Sequence, residues 1–134
     1  MAKNLIVGTV AVFILWQVMD FVIHGVLLQS LYAAKPELWR PMEEVKFGLL
    51  FGTVFLSALF FTLLYGLGFA KADLKTSLLF GLFVALAMGV GTSIGTYAVQ
   101  PIQFSLALSW LAGTIAEAVA AAAVLHWVYR GEKG

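Results

Sequence analysis

An all-α transmembrane four-helix bundle with up-down topology is the fold class this sequence predicts, and three observations predict it. Hydrophobic residues make up 62% of the 134-residue chain and charged residues 11%, with a mean hydropathy of +0.98. A water-soluble domain of this size has too small an interior to hide so much apolar surface, whereas a bilayer accepts it on the outside. The apolar residues fall into four runs, 5–32, 47–70, 77–99 and 105–129, each long enough to meet the ~20 residues a helix needs to cross the hydrocarbon. The polar stretches between them are short, so neighbouring helices run antiparallel and the chain reads as one domain, 1–134. Lipid offers the backbone no hydrogen-bond partner, so the runs are helices and not open strands.

The first run, 5–32, follows Lys3 as the h-region of a signal peptide would. Signal h-regions span roughly 7–15 residues; this run is far longer and no clean small-x-small cleavage pattern follows it, so it reads as a retained span. The connection after it, 33–46, contains Ala-Ala-Lys-Pro-Glu-Leu-Trp-Arg-Pro-Met-Glu-Glu-Val-Lys. Pro36 ends any continuation of the first helix. Pro41 suits the first residue of the second helix, with Glu43 and Glu44 in its first turn where the dipole favours acids. Trp39 and Arg40 suit the headgroup level, as an amphipathic ring and a snorkelling cation, and could also form a lid over the bundle.

The second connection, Lys71-Ala-Asp-Leu-Lys-Thr, is a tight polar turn, and the third, Gln100-Pro-Ile-Gln-Phe, carries no charge. The side holding both termini and the second connection has Lys3, Lys71, Lys75, Arg130 and Lys133, against Lys35, Arg40 and Lys46 on the other. Five against three favours both termini in the cytoplasm. Small residues recur every fourth position in Gly48–Gly52, Ala87–Gly91–Gly95 and Ser109–Gly113–Glu117–Ala121. Such rows allow helices to approach closely, either within one bundle or between copies in a homo-oligomer.

The net charge of +1 provides no field for nucleic acid, and the absence of cysteine removes disulfides, thiolate metal sites and thiol redox chemistry. No Gly-x-Ser-x-Gly, His-Glu-x-x-His or phosphate loop is present, which argues against an enzyme, and no cofactor is indicated. The partner the composition does name is the lipid bilayer. The chemistry that remains is in the polar residues of the spans. Asp20 and Glu117 each fall near the middle of their apolar run, and an Asp at the centre of a spanning helix costs about 2.5–3.5 kcal/mol on insertion scales. Two acids at matching depth are best placed facing one another inside the bundle. His24 lies one turn after Asp20 and Gln17 three residues before it, on a shared face.

Thr92, Thr96 and Ser109 fall on the same half of the membrane as His24, as does Thr53, and together with Gln17 they extend a polar set around Asp20, His24 and Glu117. This set predicts a polar cavity, roofed by Trp39 and Arg40, that relays protons or holds a cation or a small polar ligand. Oxygen and nitrogen donors also admit a divalent metal on Asp20, His24 and Glu117, although the repeated Glu-x-x-His of di-iron bundles is missing. A haem between two histidines is disfavoured, because His126 lies near the opposite membrane surface. The alternative is a structural or accessory subunit whose buried polar cluster only locks helix register.

The stretch Asp20-Phe-Val-Ile-His-Gly-Val-Leu-Leu, with Leu31-Tyr32, Leu38-Trp39-Arg40-Pro41 and a closing Tyr97-Ala-Val-Gln-Pro-Ile, Trp110, Glu117 and Tyr129-Arg130, resembles a group of small, uncharacterised four-span bacterial membrane proteins. The resemblance covers most of the chain at the level of topology. It implies a four-helix fold and a bacterial inner membrane, and it transfers no catalytic residue.

Overall fold

The computed structural model describes residues 2–133, with the side chains of 132 and 133, Lys133 of the charge count among them, outside the described set. It is an all-α chain. The membrane-length helices are α1 (Ala2–Val22), extended to Leu27 by a π turn over Ile23–Leu27, α3 (Phe47–Gly68), α4 (Leu74–Val99) and α5 (Phe104–Tyr129). A short α2 (Gln29–Ala33) follows the π turn. All four long helices are apolar enough to cross a membrane, and much of their outer surface is large hydrophobic side chains such as Phe21, Phe60 and Val99. Large exposed apolar areas are untenable in water and ordinary against lipid.

The helices alternate in direction. Along α1 and α5, Gly8 lies against Leu125, Trp16 bonds to Glu117 and Gly113 lies against Ile23, so residue numbers rise on one helix as they fall on the other. The chain is pinned across its far end by Lys35, whose ammonium donates to the carbonyl of Pro101 (2.5 Å), joining the first connection to the third.

The helix pairing is uneven, and small residues decide it. The α4–α5 pair is the most extensive, and α1 packs on both α3 and α5. A Cβ built on Gly81 would lie 2.5 Å from the Ala118 carbonyl oxygen, so glycine is what allows these two backbones to touch. Ala118, Ala121 and Ala122 supply the facing surface and are buried. By contrast α3 and α4, consecutive in the chain, do not pair along their length. They meet near their turn, where Phe61, Tyr65 and Phe69 crowd Phe80 (ring centroids 5.1, 5.5 and 4.5 Å) and the Tyr65 and Ser77 hydroxyls bond at 2.7 Å. This aromatic wedge, combined with the pull of α5 on α4, splays the two helices apart toward the far end.

Three expectations are corrected. The first helix is not continuous over 5–32: the amide of Leu28 bonds to the Ile23 carbonyl (2.9 Å) five residues back, and Leu28 leaves helical geometry. Pro41, Glu43 and Glu44 do not open the second span. They form a separate 3₁₀ turn (Met42–Glu44), which the extended Val45 divides from α3. The third span starts earlier than residue 77, because Asp73 caps α4 by accepting from the Thr76 amide (2.8 Å). The glycine rows also divide. Gly113 packs on Ile23, while Gly48, Gly52, Gly91 and Gly95 meet nothing within 4 Å among the described residues.

This packing predicts that Gly81→Leu destabilises the bundle by about 1–3 kcal/mol through overpacking, whereas Gly91→Leu leaves its melting temperature unchanged. Thermal unfolding in detergent, followed by circular dichroism, checks the pair; equal sensitivity at the two positions contradicts the assignment of the α4–α5 seam.

Candidate functional site

Asp20 comes from the last turn of α1 and Glu117 from the middle of α5. Their carboxyls are neighbours, close enough to act on one another electrostatically, and both border the larger of two cavities. The helices are held in this register by Trp16, one turn before Asp20, whose indole N–H donates to the backbone carbonyl of Glu117 at 2.9 Å. The Glu117 carboxyl oxygen Oε1 is buried without a hydrogen-bond partner, as is the Gln17 amide nitrogen. Orphaned polar atoms in an apolar bundle are unusual and mark places where another group belongs.

Two cavities adjoin the acid pair, and Glu117 and Thr114 line both. The smaller, of about 230 Å³, is bounded further by Ile23, His24, Tyr32, Thr92, Ser93, Trp110 and Gly113. The larger, of about 740 Å³, is the cleft left by the splay of α3 and α4 and is walled mainly by apolar side chains, with Asp20 at its floor. Glu117 therefore stands in the partition between a polar chamber and an apolar cleft.

A hydrogen-bonded chain leads away from the acids along the polar chamber. Trp110 Nε1 donates to the Tyr32 hydroxyl (2.8 Å), which lies 2.5 Å from His24 Nδ1. An indole N–H only donates, so the hydroxyl keeps its own proton to give. The arrangement that satisfies both groups has Tyr32 donating to Nδ1, which leaves the imidazole hydrogen on Nε2, facing Asp20 Oδ1 at 3.7 Å. That last separation is an ion-pair distance and too long for a hydrogen bond. Trp39 packs edge-on against Tyr32 and Trp110 (centroids 5.0 and 6.2 Å), above the chamber's aromatic wall.

The predicted residues are thus only partly brought together. Asp20, Glu117, His24 and Thr92 border the cavities, and Trp39 lies over the aromatic wall. Thr96 and Ser109 line neither cavity: each hydroxyl bonds back to a carbonyl four residues earlier, Thr92 and Ser105 respectively. Thr53 lines the apolar cleft and not the polar chamber, and Arg40 is exposed. The buried Asp20/His24/Glu117 cluster expected from the sequence is absent. The His24 and Asp20 side chains are 44% and 34% exposed, and among the described residues no three acids or histidines are arranged to hold a metal ion. His24 keeps its i,i+4 contact with Asp20 but gives its other ring nitrogen to Tyr32, and it does not join Glu117 in a closed, buried set. Tyr32 and Trp110 were not legible as site residues, since an aromatic toward a helix end reads as an interfacial anchor, and Trp16 and Thr114 carry no pattern that sets them apart from packing residues.

Searched against protein-family models, curated proteins and solved structures, the chain matches none.

Removing the Tyr32 hydroxyl should cost about 1–2 kcal/mol of stability, because it leaves the Trp110 N–H unsatisfied. In a double-mutant cycle by denaturant unfolding, Tyr32→Phe and Trp110→Phe should be strongly non-additive. Additive losses contradict the chain.

Proposed function

We propose that this protein is a small multi-pass membrane module that binds and moves protons or cations, with the Asp20–Glu117 pair as its binding centre and His24, Tyr32 and Trp110 as the polar route to it. The observation that carries this reading is that Glu117 meets Asp20 while lining both cavities, so one side chain faces the polar chamber and the lipid-side cleft at once. Two neighbouring carboxyls do not both carry charge comfortably, and the arrangement is satisfied by one proton held between them or by a cation in its place. His24 supplies the next titratable group, one turn away, with Tyr32 behind it. On the basic-residue count both termini are cytoplasmic, the resemblance implies a bacterial inner membrane, and the polar chamber then serves the opposite side.

The second reading is a structural or accessory subunit, self-associating or not. Its support is the Trp16–Glu117 bond, which fixes α1 against α5 whatever the carboxyls do, and the unpacked rows Gly48–Gly52 and Gly91–Gly95.

Proteoliposomes with a trapped pH indicator separate the two. Under an imposed membrane potential the wild-type protein should pass protons, and Glu117→Gln and Asp20→Asn should each abolish the flux while helical content and melting temperature stay near wild type. No flux from the wild type, or variants that lose stability and keep flux, favours the structural reading.

A further inference from the structure

The cleft between α3 and α4 is larger than a proton path requires. At about 740 Å³ it falls in the range of small-molecule sites, roughly 300–1,000 Å³. Its walls are apolar and its edges face outward: Phe60 on α3 and Met88 on α4 are 64% and 65% exposed, on surface that lies against lipid. The entrance is therefore lateral, from the bilayer. The floor is of the opposite character, with Asp20 and Glu117 sharing the lining with Trp16 and Phe61. Ser57 and Ala87, small side chains on the two walls, leave the space between entrance and floor open.

We infer that this cleft is the binding site for a hydrophobic organic cation that enters from the membrane. This deepens, and rests on, the reading of the acid pair as a cation centre. An acyl chain would fill the apolar walls but leave the carboxyls against hydrocarbon, without a polar partner on that side. A hydrated inorganic ion suits the acids but not the walls. A lipid headgroup amine stays at the membrane surface, whereas Glu117 lies at the middle of α5. A cation carried by an aromatic or aliphatic body satisfies both parts. A carboxyl pair holding one proton bears one negative charge, and aromatic faces add cation–π attraction for the same charge.

Tetraphenylphosphonium and tetraphenylborate, matched in shape and opposite in charge, are the probes. Each is titrated onto wild-type protein in nanodiscs, with empty nanodiscs subtracted. The expected result is saturable phosphonium binding, no saturable borate binding, and a loss of phosphonium affinity on the order of tenfold or more for Glu117→Gln, from removal of a charge partner. Ala87→Trp, which fills the cleft and leaves both carboxyls in place, should lose phosphonium binding while its helical content and melting temperature stay near wild type. Ala87→Trp that binds phosphonium as well as wild type overturns the inference, as does saturable binding of both ions alike. Flux without phosphonium binding also overturns it and leaves the proton reading standing. Carboxylate- and cleft-dependent phosphonium binding without flux upholds the cleft and removes proton movement. The chain has no native cysteine, so single Ser57→Cys or Ala87→Cys variants report a second copy in the cleft; a disulfide between copies that forms in place of phosphonium binding would overturn the proposal in favour of a dimer seam.

Discussion

A carboxyl group in the hydrocarbon of a bilayer costs a few kcal/mol unless something satisfies it, and this bundle carries one on α1 and one on α5. Each is the other's partner. Bringing them together demands that α1 and α5 pack directly at that level, and Trp16 secures the approach by bonding to the backbone of Glu117 itself. The rest of the helix arrangement adds the small-residue seam to this contact. With α1 committed to α5 and α3, and α4 committed to α5 through the glycine and alanine seam, α3 and α4 are left as the pair without a shared surface.

The core reflects the same division. One buried cluster, with Val12, Ala58, Tyr65, Phe80, Leu125 and Tyr129, fills the half of the bundle near the termini. A smaller one, built on Leu28, Ile102, Leu106 and Ala107, closes the far end beneath Tyr32 and Trp39. The acid pair and both cavities lie between these dry layers. Water or ligand at the carboxyls must therefore come through the polar chamber or through the lateral cleft. The π turn lies in this layer: within it His24 bonds to Tyr32, lines the chamber and keeps its contact with Asp20. Irregular turns of this kind are common where a side chain has a task that a straight helix would not permit.

Much of the architecture was legible because lipid simplifies the rules. Four apolar runs of spanning length leave little choice but four helices, and the need to pair two deep acids pointed to Asp20 facing Glu117. The depth argument rested on helix bounds that the structure moves. In the structure the first span runs from Ala2 to Leu27, so Asp20 lies beyond its middle, and it is the antiparallel register of α1 on α5 that delivers the contact. What sequence reasoning missed has physical causes. Thr96 and Ser109 look like cavity-lining hydroxyls but satisfy themselves on their own helix backbone. Tyr32 and Trp110 look like surface anchors, and only the folded chain joins them to one another and Tyr32 to His24. Gly81 and Gly91 have the same composition signal, and only tertiary packing distinguishes the one in the seam from the one facing outward.

The central claim is that Asp20 and Glu117 act as one unit, with a single proton between two carboxyls. Infrared spectroscopy of the protonated carboxyl stretch in lipid-reconstituted protein reads that proton without requiring any transport activity. One such band is predicted, and Asp20→Asn and Glu117→Gln should each shift or remove it, because either amide ends the sharing of the proton. Two bands lost separately in the two variants, or a band left unchanged by both, would contradict it.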